Sequence, residues 1–102
     1  MATASRQSYI ARIHISAKRE LEGCPLDIQH ELKDKIIQAS ELEEPSSHSD
    51  IRLLRGCNGL FRVRAGSYRA ICDLVSPTLR VLLVDRRSKV YSRIDEAKAR
   101  GR

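Results

Sequence analysis

Tryptophan is missing from this 102-residue chain and phenylalanine occurs once, so an aromatic core is excluded and an aliphatic one is expected. Cysteine occurs three times, at Cys24, Cys57 and Cys72, never in C-x-x-C spacing. That argues against a structural zinc site, and the odd number leaves a thiol over from any disulfide framework. Cys72 lies in an apolar run and is expected to be a small core residue. No apolar stretch approaches the roughly 20 residues of a membrane span. The start, MATASRQSYI, lacks the apolar segment of a secretory signal. These absences set the expectation of a protein in a reducing cytoplasm, with no membrane contact. His14, His30 and His48 are dispersed, and neither a metal nor a cofactor is expected.

Acidic residues are scarce in one half only. Residues 1–50 carry six Lys/Arg against nine Asp/Glu, whereas residues 51–102 carry thirteen against four, and eleven of the thirteen are arginine. A localised basic field attracts polyanions or an acidic protein. Arginine's planar fork of donors suits phosphate or carboxylate better than the point charge of lysine. A solvated basic face remains the plain alternative.

A chain of this length is expected to be one domain, 1–102, with residues 1–7 and 96–102 as flexible tails. It should bury roughly 60–65% of the surface its unfolded chain exposes, enough for a modest core. Alternation in SYIARIHI (8–15) predicts a strand. Ser16 is the expected N-cap of a short helix over 17–22 that closes at Gly23. Pro25 suits the first turn of a second helix of about 16–18 residues, whose Ile28, Leu32, Ile36 and Ala39 recur at spacings of three and four. Leu26, Ile37 and Leu42 widen that stripe, and Pro45 with SSHSD ends it in a loop.

Beyond the loop the period becomes two. LFRVRA sets Phe61, Val63 and Ala65 against Arg62 and Arg64, and YRAICDLV sets Tyr68, Ala70 and Cys72 against Arg69, Ile71 and Asp73. The Ala65-Gly66-Ser67 break makes these two runs a hairpin. Ser76-Pro77-Thr78 turns the chain again into LRVLLV (79–84), apolar enough for a strand buried on both sides. The order predicts an α+β domain: a small, mostly antiparallel sheet with two N-terminal helices on one face. Arg62, Arg64 and Arg69 would then project together from the other face, where like charges repel unless an anion lies among them. VDRRSKVYSR (84–93) places Arg86, Arg87 and Lys89 just past the last strand, with Tyr91 close behind. A tyrosine beside cations can stack on a base while they hold phosphate, or it can simply be a packing residue. Arg52 and Arg55 could extend the same surface.

Leu54-Arg55-Gly56, the Gly59–Cys72 hairpin and Val84–Tyr91, in that order, resemble the RelE/ParE superfamily of toxin–antitoxin toxins. The hairpin is similar to the family's Gly-Leu-Tyr-Arg-Leu-Arg-x-Gly-x-Tyr-Arg pattern, and the likeness spans residues 8–93. The resemblance implies a RelE-like microbial ribonuclease fold. It also implies a metal-independent endoribonuclease that cuts mRNA in the ribosomal A site by 2′-hydroxyl attack. By position, Arg69 would hold the scissile phosphate, Arg64 and Arg62 the RNA backbone and the attacking hydroxyl, and Arg87 the leaving group. Tyr91 would orient the nucleotide, with Arg55, Arg86 and Lys89 as supporting RNA-binding residues. Arg86 stands where the family commonly has histidine, and Ile71-Cys72 where an aromatic-bearing pair is common. With arginine at both 62 and 64 no ordinary base is visible. Asp73 or Asp85 could serve, or the ribosome could supply proton transfer, so a ribosome-dependent nuclease is expected. The implied partners are a RelB-like antitoxin, the ribosome with its mRNA, and operator DNA only through the antitoxin complex. Two other readings stay open: a ParE-like gyrase poison without nuclease chemistry, and a degenerate module that binds only antitoxin and operator.

Overall fold

The computed structural model describes residues 8–57 and 59–102; the segment 1–7, expected as a flexible tail, lies outside them. Strand β1 (Ile10–Ile13) leads into helices α1 (Ile15–Glu22) and α2 (Leu26–Ser40). A 3-10 turn at Pro45–Ser47 precedes β2 (Ile51–Leu53), β3 (Phe61–Ala65), β4 (Tyr68–Val75) and β5 (Thr78–Arg86). The chain closes through α3 (Arg87–Val90), a 3-10 turn at Tyr91–Arg93 and α4 (Ile94–Arg100). The five strands lie in the order β1-β5-β4-β3-β2, with β1 parallel to β5 and every other pairing antiparallel.

The predicted elements are present with small shifts. α1 is capped by His14, whose Nδ1 accepts the Ser16 N–H at 3.1 Å, so the cap lies before the expected Ser16. Pro25 is the N-cap of α2, whose length is 15 residues. Leu32, Ile36 and Ala39 of α2 are buried with Ala17 and Leu21 of α1 against Phe61, Val63, Ala70, Cys72, Leu79 and Val81 of the sheet. Leu26 and Ile37, counted into the stripe, remain 70% and 53% exposed, so the buried stripe is narrower than the sequence suggests.

Two elements depart from expectation. The three-residue β2 is an added strand. Residues 96–102 are not a loose tail: α4 lays Ala97 and Ile94 over Ile71, Leu82, Leu83 and Val90, forming a second core on the sheet's other face. Here the register shifts, with Ile71 opposite Leu83 and Cys72 opposite Val81, so Leu82 is an extra residue. A bulge of this kind lets Leu82 and Leu83 both enter the second core. LRVLLV is therefore buried from both sides, as its composition suggests.

Gly66 opens the β3–β4 turn at φ +58°, while Ser67 after it is not in the left-handed region. A Cβ at Gly66 would meet Ile28 Cδ1 at 3.2 Å. Gly66→Ala is expected to destabilise the domain by about 1–2 kcal/mol, the usual cost of left-handed backbone for a residue with a Cβ. Chemical denaturation would register this as a lower midpoint at unchanged slope; a midpoint equal to wild type would contradict it.

Candidate functional site

Strand register decides where the arginines stand. Arg64 lies directly opposite Arg69 across β3 and β4, and Arg52 lies opposite Arg62 across β2 and β3. All four alternate with core residues, so they occupy the face turned away from α1 and α2. On that face α3 and α4 cover Ile71 and Leu83 but leave the β2–β3 end open.

Arg69 is not the exposed side chain the alternation suggests, being only 5% exposed. Its Nη1 donates to the carbonyls of Gly66 (2.9 Å) and Tyr68 (2.8 Å), which lock the guanidinium against the hairpin turn. Its Nε is buried and has no hydrogen-bond partner among the described residues. A buried donor without an acceptor is costly, so this enclosed N–H is an unusual feature of the hairpin. Burial lowers the Arg69 pKa, the Tyr91 hydroxyl beside it acts in the opposite direction, and the charges of Arg62 and Arg87 lower it further. The guanidinium nevertheless stays protonated at any working pH. The charges of two arginines and a phenol thus act on one fixed guanidinium.

The segment after β5 is anchored to the hairpin by the Arg87 N–H, which donates to the Ser67 carbonyl at 2.7 Å. Ser67, Arg86, Arg87, Ser88 and Tyr91 line an open cavity of about 570 Å³. Tyr91 is 43% exposed, so its ring is available to a ligand rather than spent in packing. Arg86 also reaches the neighbouring recess formed by Glu20, Cys24, Tyr68 and Arg93.

Of the sequence-derived candidates, Arg69, Arg87 and Tyr91 stand together at the hairpin turn, while Arg62 shares a recess with Asp50, Arg52 and Arg64. Arg64 is drawn toward the β2 side instead, where Nη2 donates to Asp50 Oδ1 at 2.8 Å. Arg64, and then Lys35 from α2, hold the Asp50 carboxyl below its ordinary pKa. Arg55, in the turn after β2, and Lys89, on α3, are exposed and form no ion pair or side-chain hydrogen bond among the described residues. The two carboxylates considered as bases are committed elsewhere. Asp73 Oδ1 accepts from Arg80 Nε at 2.8 Å, and Asp85 Oδ2 from Arg93 Nη1 at 2.9 Å. Among the described residues the site therefore offers fixed positive charge, an unpaired donor and an aromatic ring, but no uncommitted carboxylate beside Arg69.

A second polar network, not anticipated from the sequence, holds the segment in place. Glu20 of α1 accepts the Val84 N–H (3.0 Å), Arg93 Nη2 (2.6 Å) and both terminal nitrogens of Arg100 (2.9 and 3.0 Å). Glu96 bridges the same two arginines. No metal-binding group of His, Cys, Asp or Glu exists among the described residues, and none of their helices is long and apolar enough to cross a membrane.

This fold is that of the RelE-like toxins. A free-state mutant of the RelE toxin from E. coli superposes with a TM-score of 0.72 at 21% identity, covering 88% of this chain and 97% of that toxin. A RelBE toxin–antitoxin complex from Mycobacterium tuberculosis gives 0.63 at 27% identity, covering 80% of this chain and 94% of the other. A RelB–RelE antitoxin–toxin complex from Methanococcus jannaschii gives 0.66 at 20% identity over 78% of this chain and 94% of the other. No protein-family model and no curated protein matches the sequence.

Proposed function

We infer that this chain is the toxin of a type II toxin–antitoxin module and acts as an endoribonuclease on mRNA in the ribosomal A site. The observation that carries the reading is Arg69, immobilised by two carbonyls beside Tyr91 with its Nε–H enclosed and unpartnered. Attack of a 2′-hydroxyl on its neighbouring phosphate builds negative charge on the phosphoryl oxygens. A guanidinium that is already fixed stabilises that charge without reorganising. The field of Arg62 and Arg87 adds to it, and Arg87 is assigned to the departing 5′ oxygen. The ring of Tyr91, over the open cavity, orients the nucleotide by stacking. Because Asp73 and Asp85 are ion-paired and guanidinium does not deprotonate, the proton of the 2′-hydroxyl leaves to a group of the ribosomal site. Cleavage is thereby tied to the ribosome.

The solved RelB–RelE assemblies support an antitoxin partner, and the basic face suits an acidic or amphipathic segment of it. Operator DNA is reached only through that complex. The test uses the purified chain in two assays, programmed ribosomes with primer extension across the A-site codon and DNA gyrase with relaxed plasmid. A cut in the A-site codon with supercoiling intact is the expected result. Intact mRNA with failed supercoiling would replace the nuclease by a gyrase poison, and intact mRNA with normal supercoiling would leave a binding module.

A further inference from the structure

Five of the described arginines have a side-chain hydrogen bond or ion pair. Arg64 has Asp50, Arg80 has Asp73, Arg93 and Arg100 share Glu20 and Glu96, and Arg69 has two carbonyls. Arg52 and Arg62 have none, and they face each other. They are direct register partners across β2 and β3, a like-charge pair that weakens the sheet rather than strengthening it. Neither has an ion pair or a side-chain hydrogen bond among the described residues. With Ser49, Asp50 and Arg64 they line a small polar recess of about 40 Å³. That holds an oxygen atom or two but not a nucleobase.

We propose that Arg52 and Arg62 form a second phosphate subsite, which holds the phosphodiester next to the one at Arg69 in a single-stranded RNA. The inference rests on the ribonuclease reading given above. Arg62 and Arg64 are two residues apart on one strand, about 6.8 Å. The pair Arg52–Arg62 is therefore displaced from the pair Arg64–Arg69 by a step of the same order as the spacing of successive phosphates in an extended strand. Asp50 sets the position within the recess. Its carboxylate neutralises Arg64 and repels an anion at that end, leaving Arg52 and Arg62 as the open donors. Two forks from adjacent strands can embrace one phosphate, and the like-charge pair then becomes favourable once the RNA is present. Arg62 serves both subsites electrostatically, since its charge is felt at Arg69. The consequence is a binding register: the strand enters along the β2–β3 edge and reaches Arg69 with its neighbouring phosphate already fixed.

The test compares the wild-type chain with Arg52→Gln and Arg52→Lys, using uncleavable 2′-O-methyl oligoribonucleotides with one phosphate (a dinucleotide) or three (a tetranucleotide). Arg52→Gln is expected to weaken the tetranucleotide about tenfold and to lower its salt slope by about 0.7, the contribution of one phosphate in a single strand. Dinucleotide binding should be unchanged, and Arg52→Lys should restore the slope with part of the affinity. Equal affinity and slope for Arg52→Gln and wild type on the tetranucleotide would overturn the subsite while leaving the ribonuclease reading standing. Loss on both oligonucleotides alike, at unchanged thermal stability, would also overturn it, since Arg52 would then act on the first phosphate. Weakened binding to the antitoxin alone would assign the recess to a protein carboxylate instead. If wild type binds neither oligonucleotide and leaves ribosomal mRNA intact, both readings fall together.

Discussion

Arg69→Ala is expected to lower mRNA cleavage on programmed ribosomes by about 100- to 1,000-fold, the usual cost of removing one preorganised donor from a developing oxyanion. The size follows from the way the side chain is held. Its guanidinium is buried and tied to the Gly66 and Tyr68 carbonyls, so no rearrangement is needed as charge accumulates on the phosphate. A solvated arginine would have to give up water and side-chain freedom at that moment. The substitution also strands two carbonyls of the hairpin turn, at a cost to stability of about 1–2 kcal/mol. Activity and stability must therefore be read separately. Arg69→Lys separates them: it keeps the charge but cannot reproduce the fork, so melting recovers while cleavage stays well below wild type. Arg87→Ala should also relieve growth arrest, and neither alanine variant should abolish antitoxin binding. If Arg69→Ala cleaves A-site codons at the wild-type rate, the active centre lies elsewhere.

Glu20→Ala is expected to be among the most destabilising single changes outside the apolar core, at about 2–3 kcal/mol. That is somewhat below the 3–5 kcal/mol typical of breaking a fully buried pair, because solvent reaches part of this network. One carboxylate joins α1 to β5 through the Val84 N–H and to the C-terminal region through Arg93 and Arg100. Removing it leaves the amide and parts of two guanidiniums unsatisfied. For a domain of this size the midpoint should fall by roughly 10–20 °C.

The same residue gives the stability a pH dependence. Burial by itself raises the Glu20 pKa, but hydrogen bonds from Arg100, Val84 and Arg93 outweigh it, so the folded value lies below the ordinary one. A lowered folded pKa means that the contribution is complete above the unfolded value, about 4.3, and is lost as pH falls through the folded one. Glu20→Gln should flatten the acid limb of a stability–pH curve and leave little difference from wild type at the lowest pH. An acid limb as steep in Glu20→Gln as in wild type would place the titration on other carboxylates.

How far the sequence could be read depended on whether a contact was local. Period-two alternation around Gly66 revealed the hairpin, and the spacing of Leu32, Ile36 and Ala39 revealed α2, because both signals lie inside a short window. Alternation also placed Arg62, Arg64 and Arg69 on one face, yet it could not show that Arg69 is enclosed while Arg64 turns to Asp50. Those outcomes depend on the turn carbonyls, on Tyr91 and on a residue fourteen positions away in sequence. IDEAKAR has little apolar character and reads as a tail. Its docking rests on Ala97 and on a bond between Arg100 and Glu20, eighty positions apart. The strand at Ile51–Leu53 is too short to alternate visibly, and with it the Arg52–Arg62 pairing was hidden. Asp73 and Asp85 looked like available bases only because their cross-strand and cross-turn arginines could not be seen.

The parallel pairing of β1 with β5 has a consequence for biosynthesis. Of the five strands of the sheet β1 is made first, yet its neighbour β5 is made last. Until Thr78–Arg86 has been made, α1 and α2 have little sheet to cover, and the hairpin of β3 and β4 lacks its adjoining strand. Loop-closure entropy opposes joining ends so far apart before their contacts can form. The nascent chain should therefore stay open through most of its translation. The cage around Arg69 and the anchor of Arg87 on Ser67 would assemble only after Thr78–Arg86 has been made, leaving an interval in which a partner can meet the chain before its basic face is complete.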